Sequence, residues 1–170
     1  MPSRTPAISV VIPTKNRHAM LAEAIASVLR QDFDNHEIVV VDDGVGAAEF
    51  VAGWFAAERS VRCADNAQAG QVRARNLGVS LARGEIVAFL DDDDRWGSKS
   101  YLSAVRAAID GRQAATLASG DIVVVDDDMS VVETIPVRGL DQPRGNPLRQ
   151  QDPRFRLRLF ARAERPPRPL

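Results

Sequence analysis

The feature that most constrains the fold is a regular alternation of short apolar runs with stretches of helical periodicity. Three runs, at residues 8–12, 37–41 and 86–90, are rich in β-branched residues and have the length of buried strands. A weaker strand is predicted at 60–63. The stretches between the runs repeat apolar residues at helical spacing. Strands that alternate with helices predict an α/β fold, in which helices cover both faces of a mostly parallel sheet.

The same patterns predict the individual helices and a second group of strands. The first helix follows Asn16, which we expect to cap it, and the others are centred on residues 50–55, 71–82 and 101–109. Strands are also predicted at 116–118 and 121–125. Residues 131–135 are predicted to pair back on the latter as a hairpin, with aspartates 126–128 in the turn between them.

Length and composition limit the classes of protein that need considering. A chain of 170 residues can bury one sizeable core and is short for two domains. No apolar run approaches the roughly 20 residues that a bilayer-spanning helix needs. The lone cysteine, Cys63, cannot form an intramolecular disulfide and is expected to be a small core residue. These features predict a cytoplasmic protein, associated with a membrane at most peripherally.

The net charge of −1 hides an asymmetry along the chain. Residues 138–170 carry nine arginines, three acids and six of the ten prolines, whereas residues 1–137 carry an excess of acids. This shift predicts a folded domain over 1–137 and a disordered Arg/Pro-rich tail over 138–170. An alternating basic and apolar stretch at 154–160 leaves open an edge strand, or contact with RNA or anionic lipid, although we expect no nucleic-acid partner.

Three polar clusters follow the predicted strands directly: residues 13–17, 42–44 and 91–94. Since ligands gather at the carboxyl ends of parallel strands, the three clusters predict a single site. The turn after the first strand contains no glycine, which argues against a dinucleotide, and there is no P-loop. Each cluster also has a purely structural interpretation.

For Asp42 and Asp43, that interpretation is a turn followed by a helix cap. For the four aspartates at 91–94, it is a solvated loop, while the functional interpretation is a hard cation such as Mg²⁺ or Mn²⁺. Arg73 and Arg75 on the third helix could offset this acidic charge, or hold a diphosphate.

Four segments, in this order, carry a resemblance to a known family. They read ISVVIPTKNR at 8–17, IVVVDDG at 38–44, ARNLG at 74–78 and GEIVAFLDDDDRW at 84–96. Over residues 7–137 the chain resembles the N-terminal, nucleotide-binding part of a family 2 glycosyltransferase of the GT-A fold, a Rossmann-like α/β sheet. The family's C-terminal half is not matched, so the resemblance implies a GT-A fold that is incomplete there.

The resemblance implies a role for each matched position. The strand-end loop lines the nucleotide pocket, the second acid of the Asp-Asp-Gly turn pairs with the base, and the arginine of the third segment lies near the nucleotide. The acidic run contributes contacts to ribose and sugar hydroxyls and a ligand to Mg²⁺ or Mn²⁺. The corresponding residues are Pro13, Thr14 and Asn16 for the loop, Asp43, Arg75, Asp91 and Asp92 for the nucleotide, and Asp93 for the metal.

The implied activity is transfer of a sugar, with inversion, from a nucleoside-diphosphate donor to an acceptor hydroxyl of a glycan or lipid. A uridine nucleotide is the favoured donor. Lys15 departs from the family by replacing an aromatic residue, and Ser98 by replacing a proline. The general base that inversion needs is expected past Leu170. The alternatives are a non-catalytic sugar-nucleotide-binding remnant and, less favoured because no Gly-rich lysine loop is present, a nucleotidyltransferase.

Overall fold

The computed structural model describes residues 5–67, 70–110, 122–125 and 131–135, the last two segments by their backbone alone. Strands and helices alternate along the chain, as the sequence predicts. The elements are β1 Ile8–Thr14, α1 His18–Leu29, β2 His36–Asp42, α2 Ala47–Trp54, β3 Val61–Asp65, α3 Gln71–Leu81, β4 Ile86–Phe89, α4 Tyr101–Ile109, β5 Ile122–Val125 and β6 Val131–Ile135.

The first four strands form one parallel sheet in the order β3-β2-β1-β4. The register aligns Thr14 of β1 with Asp42 of β2, and Asp42 with Asp65 of β3, so these strands end at the same edge. This arrangement confirms the predicted α/β fold. The antiparallel pairing of β5 with β6 confirms the predicted hairpin strands. The predicted strand at 116–118, the predicted turn at 126–128 and the predicted tail at 138–170 lie outside the described residues.

Alternate side chains of the strands build two cores, one on each face of the sheet. The larger core packs Ile12, Ile38 and their neighbours against α1, α2 and α4. The smaller core packs Val11 and Val39 against α3. Helices therefore cover both faces, and the carboxyl edge of the sheet is left to the loops.

β1 continues through Pro13, where the sequence predicted that it would end. β4 pairs with β1 only as far as Val11 opposite Phe89. At Pro13, β1 is therefore paired with β2 on one side and is no longer paired with β4 on the other. A missing N–H is tolerated at such a position, so the strand reaches Thr14 and carries its hydroxyl to the sheet edge.

The prediction that Asn16 caps α1 is wrong. The N-cap of α1 is Arg17, and no side chain caps this end of the helix. Asn16 instead adopts a left-handed backbone conformation with φ of 56°, and its side-chain Oδ1 accepts a hydrogen bond from Val45 N at 3.0 Å. Asparagine tolerates this conformation better than most residues, so its amide bridges the loops after β1 and β2.

Gly78 lets α3 lie directly on β1, since a Cβ built there would overlap the Val11 side chain. We expect Gly78→Ala to lower the free energy of unfolding by about 1–3 kcal/mol through overpacking. Gly53 in α2 is the matched control, because a Cβ there meets nothing within 4 Å. Gly53→Ala should raise stability by about 0.4–1 kcal/mol. Urea denaturation of both variants checks this, and equal effects would contradict the close approach.

Candidate functional site

The three polar clusters meet at the carboxyl edge of the sheet. The hydroxyl of Thr14 donates to Asp92 Oδ2 at 2.7 Å, which joins the end of β1 to the acidic run after β4. Asp43 N donates to the carbonyl of Thr14 at 2.8 Å, and Lys15 Nζ lies 3.5 Å from Asp43 Oδ2. The predicted convergence of the clusters therefore holds in the structure.

Asp92 is a buried anchor of this edge, with a side chain that is 1% exposed. Besides Thr14, it accepts hydrogen bonds from Arg17 Nε at 3.1 Å and from Arg17 Nη2. The guanidinium thus meets both carboxylate oxygens in the two-pronged geometry that favours Arg–carboxylate pairs. A buried carboxylate needs such compensation, because water cannot reach it. Its implied contact with ribose or sugar hydroxyls stays a prediction.

Asp93 faces the solvent next to this anchor. Its side chain is 46% exposed, and its Oδ2 accepts a hydrogen bond from Arg17 Nη1 at 2.7 Å. Partial desolvation works against the charge of Arg17, but the hydrogen bonds and charges of Asp92 and Asp93 outweigh it, so the pKa of Arg17 is raised. One cation therefore serves two neighbouring carboxylates.

Asp91 turns towards α3 on the other side of the anchor. It pairs with Arg75 Nη2 at 2.5 Å, and both side chains are about one-third exposed. The structure thus brings together two of the residues that the resemblance places near the nucleotide. Their ion pair also fits the charge-offsetting interpretation of Arg75.

The two carboxylates at the end of β2 have different tasks. Asp42 is buried and accepts hydrogen bonds from the backbone N–H groups of Gly44 at 2.7 Å and Ala47 at 2.9 Å, the latter at the start of α2. The turn-and-cap interpretation therefore holds for Asp42.

Asp43 instead reaches across to the segment before α3. Its Oδ1 accepts hydrogen bonds from Gly70 N at 2.5 Å and Asn66 Nδ2 at 2.6 Å. The bond from Gly70 N is the main reason that the pKa of Asp43 is lowered. These bonds occupy one oxygen and leave Oδ2 beside Lys15.

The remaining predicted pocket residues lie at the same edge. Pro13 is buried within β1, next to Thr14, and Asn16 is exposed on the loop that follows. Their roles towards a nucleotide stay predictions. Cys63 packs against the larger core, and its pKa is raised to about 11, chiefly by burial. A thiol in that state is a poor nucleophile, which agrees with the core role expected for it.

Sequence reasoning gave no role to Arg17, Asn66 or Gln31. Gln31 Nε2 donates to the carbonyl of Ser98 at 2.8 Å, and Gln31 Oε1 accepts from Leu102 N at 3.0 Å. It thereby holds the loop between the acidic run and α4. A signal for Arg17 was present, because four adjacent carboxylates need a counter-charge. No comparable sequence signal marks the two amide residues.

The edge fits a divalent cation that takes part of its ligands from a substrate. Within the described ranges, no group of three or more His, Cys, Asp or Glu side chains is placed to hold an ion by itself. Mg²⁺ is typically held by one or two carboxylates together with substrate phosphates. Asp93 offers one accessible carboxylate of this kind.

Among the described helices, none has the length and apolar character needed to cross a bilayer.

Residues 9–150 match the family described as Glycosyl transferase family 2. Similar proteins include WcaA of Escherichia coli (strain K12), named as a colanic acid biosynthesis glycosyl transferase, with 37% identity over 94 residues, 54% of this chain and 34% of that protein. A second is the GalNAc(5)-diNAcBac-PP-undecaprenol beta-1,3-glucosyltransferase of Campylobacter jejuni, with 34% identity over 110 residues, 62% of this chain and 36% of that protein.

Two solved structures share the fold of the described residues. The mannosyltransferase PcManGT from Pyrobaculum calidifontis, in complex with GDP-Man and Mn²⁺, has 27% identity and a TM-score of 0.58, over 69% of this chain and 37% of that chain. TarS 1–349 of S. aureus has 24% identity and a TM-score of 0.54, over 69% and 41%, respectively. The chain spans about a third of the length of the curated relatives named above.

The different burial of Asp92 and Asp93 predicts different effects of the same substitution. Asp92→Asn should lower the free energy of unfolding by about 3 kcal/mol, because it breaks a buried pair. Asp93→Asn should cost less than about 1 kcal/mol, because its pair is exposed and screened by water. Urea denaturation of the two variants tests this, and a larger loss for Asp93→Asn would contradict the assignment of Asp92 as the anchor.

Proposed function

Because the chain belongs to glycosyl transferase family 2, we propose that it binds a nucleoside-diphosphate sugar and a divalent cation for transfer of the sugar to an acceptor hydroxyl, with inversion. The binding site is the carboxyl edge of the sheet, where the loops after β1, β2 and β4 meet. The observation that carries this proposal is the hydrogen bond of 2.7 Å between Thr14 and Asp92, which brings the nucleotide loop and the acidic run into one site.

Asp43 is the residue that we assign to the nucleotide base. Gly70 N and Asn66 hold its Oδ1, so the carboxylate is fixed in place before a ligand arrives. Its Oδ2 can accept a hydrogen bond from an N–H of the base. The N3–H of uracil meets this requirement, as does the N1–H of guanine, and the PcManGT structure contains GDP-Man. A uridine nucleotide remains the first donor to test.

Asp93 is the residue that we assign to Mg²⁺ or Mn²⁺, because it is the exposed member of the pair that Arg17 joins. The ion, when bound, acts as a Lewis acid that stabilises the negative charge growing on the departing diphosphate. The Mn²⁺ in the PcManGT structure supports this choice. Hard oxygen ligands, rather than sulfur or imidazole, suit both ions.

The other predicted residues shape the site around these two. Arg75, held by Asp91, offers a guanidinium for the diphosphate. Pro13 and Asn16 line the nucleotide pocket, and the partly exposed Asp91 lies towards ribose and sugar hydroxyls. Asp92 was expected there as well, but it is 1% exposed, so we assign it to holding Arg17 and Thr14 instead. The hydroxyl of Thr14 already donates to Asp92, so Thr14 supports the site through that aspartate.

Calorimetry of the 170-residue chain with UDP tests the metal-dependent site. We expect Mn²⁺ to tighten UDP binding about tenfold, which corresponds to ~1.4 kcal/mol. Asp93→Asn should abolish this gain. Asp110→Asn, the same exchange at the end of α4 where Asp110 pairs with Arg106, should keep it. Binding of UDP and GDP that Mn²⁺ leaves unchanged in the parent chain would contradict the proposal.

Competition among nucleoside diphosphates tests the assignment of Asp43. We expect UDP or GDP to bind more tightly than CDP and ADP, because cytosine and adenine offer no ring N–H to the carboxylate. Asp43→Asn should reduce this preference, provided that thermal denaturation shows the variant folded. A preference that the substitution leaves intact would remove Asp43 from the base site.

Turnover separates an enzyme from a binding module. Release of UDP from a UDP-sugar that depends on an added glycan or lipid acceptor, above the release caused by hydrolysis, would show sugar transfer. Tight, Mn²⁺-dependent binding without UDP release would instead favour the non-catalytic sugar-nucleotide-binding alternative.

A further inference from the structure

Arg17 binds two neighbouring carboxylates, one of them buried and the other exposed to solvent. Its Nε and Nη2 donate to the two oxygens of Asp92, and its Nη1 donates to Asp93 Oδ2 at 2.7 Å. Asp92 is buried and also bound by Thr14, whereas Asp93 is 46% exposed. In the part of the chain that the structure describes, Arg17 is the one partner of the Asp93 carboxylate.

The two contacts of Arg17 therefore differ in how easily they can be exchanged. Breaking the contact with Asp92 would leave a charge buried without a partner, which is strongly unfavourable. The contact with Asp93 is open to water and salt, and such pairs contribute little. A competing cation can replace Arg17 at Asp93 while Arg17 keeps its hydrogen bonds to Asp92.

We propose that Arg17 is a positioning residue that acts as the counter-cation of Asp93, so that a divalent ion binds tightly only together with a nucleoside diphosphate. This inference rests on the proposed function, since it concerns the same site. A divalent ion alone would have to displace the guanidinium from Asp93 and then lie beside its positive charge. The diphosphate of a donor brings negative charge that compensates both cations.

This arrangement makes the binding of metal and donor depend on each other. Each ligand strengthens the other by the same factor, as linkage requires. A purely structural Arg17, which only neutralises Asp92, would not have this effect. The two roles are therefore distinguished by the affinity for the metal in the absence of nucleotide, a quantity that overall stability does not determine.

Arg17→Lys is the variant that separates the two contacts. A lysine ammonium can still neutralise Asp92, but it lacks the planar fork that spans two carboxylates. We expect the affinity for Mn²⁺ alone, measured as free Mn²⁺ by electron paramagnetic resonance on the 170-residue chain, to rise about fivefold, the upper range for an exposed pair. The gain in Mn²⁺ affinity on adding UDP or GDP should shrink by a similar factor.

Arg95→Lys is the matched control, because Arg95 lies in the loop of the acidic run, two residues after Asp93, and pairs with Glu23 at 2.8 Å. It should leave both quantities unchanged. If thermal denaturation shows Arg17→Lys unfolded, the double variant Arg17→Gln/Asp92→Asn replaces it. That variant removes both members of the buried ion pair and leaves Asp93 without its counter-cation. Its affinity for Mn²⁺ alone should show the same rise.

The outcomes distinguish this inference from the proposed function. A folded Arg17 variant with the parent affinity for Mn²⁺ alone would overturn the inference. The proposed function would still stand if Mn²⁺ tightened UDP or GDP binding in the parent chain. If Mn²⁺ and nucleotide do not strengthen each other in the parent chain, the proposed function fails and the inference fails with it.

Discussion

The hydrogen bond from Thr14 to Asp92 is the contact on which the candidate site depends. β1 and β4 stop pairing at Val11 and Phe89, although Leu90 N still donates to the carbonyl of Val11 at 3.1 Å. Beyond that point, side chains replace the backbone ladder as the connection between the two segments. Asp92 is suited to this task because its carboxylate accepts from Thr14 and from both prongs of Arg17. A neutral side chain would not balance the charge of the guanidinium there.

Neighbouring carboxylates at this edge divide structural and candidate binding tasks between them. At the end of β2, Asp42 is buried and accepts hydrogen bonds from the turn and from the start of α2, while Asp43 binds the segment before α3. After β4, Asp92 is buried and Asp93 is exposed. Asp92 and Asp93 are the two central residues of a turn, which the hydrogen bond from Asp94 N to the carbonyl of Asp91 closes at 3.0 Å. This turn places one carboxylate inward and the next outward. Two adjacent acids can therefore provide one structural carboxylate and one that is available to a ligand, which a single acid could not do.

Glu37 at the opposite edge shows how a purely structural carboxylate differs from Asp93. It is buried and accepts hydrogen bonds from Ser9, Arg62 and the backbone N–H of Arg83. Burial raises the pKa of Glu37, but these three donors outweigh it and the pKa is lowered overall. Its oxygens are therefore satisfied within the protein. Asp93 has one exposed contact and retains capacity for a ligand.

The order of the elements can be predicted from the sequence because it depends on the spacing of apolar residues. Contacts that depend on the geometry of the loops cannot be predicted in this way. Strand and helix order follow from the apolar spacing, and the convergence of the polar clusters follows from the parallel sheet. The cap assigned to Asn16 is wrong. Asparagine is common at helix N-caps, but here its side chain accepts a hydrogen bond from Val45 N instead. Asn66 and Asp43 lie 23 positions apart in the chain, and only the folded backbone brings them together.

Helix α1 shows most clearly what periodicity leaves out. Its apolar spacing predicts that it packs on the sheet, which it does. The structure adds that residues at both ends of this helix hold the segment that contains the acidic run. Arg17 binds Asp92 before the first turn, and Gln31, just beyond the last turn, binds Ser98 and Leu102. Because α1 is fixed to the sheet by its buried face, it sets the position of that segment at both ends. A shift of α1 against the sheet would therefore move the exposed carboxylate of the acidic run relative to the loop after β1.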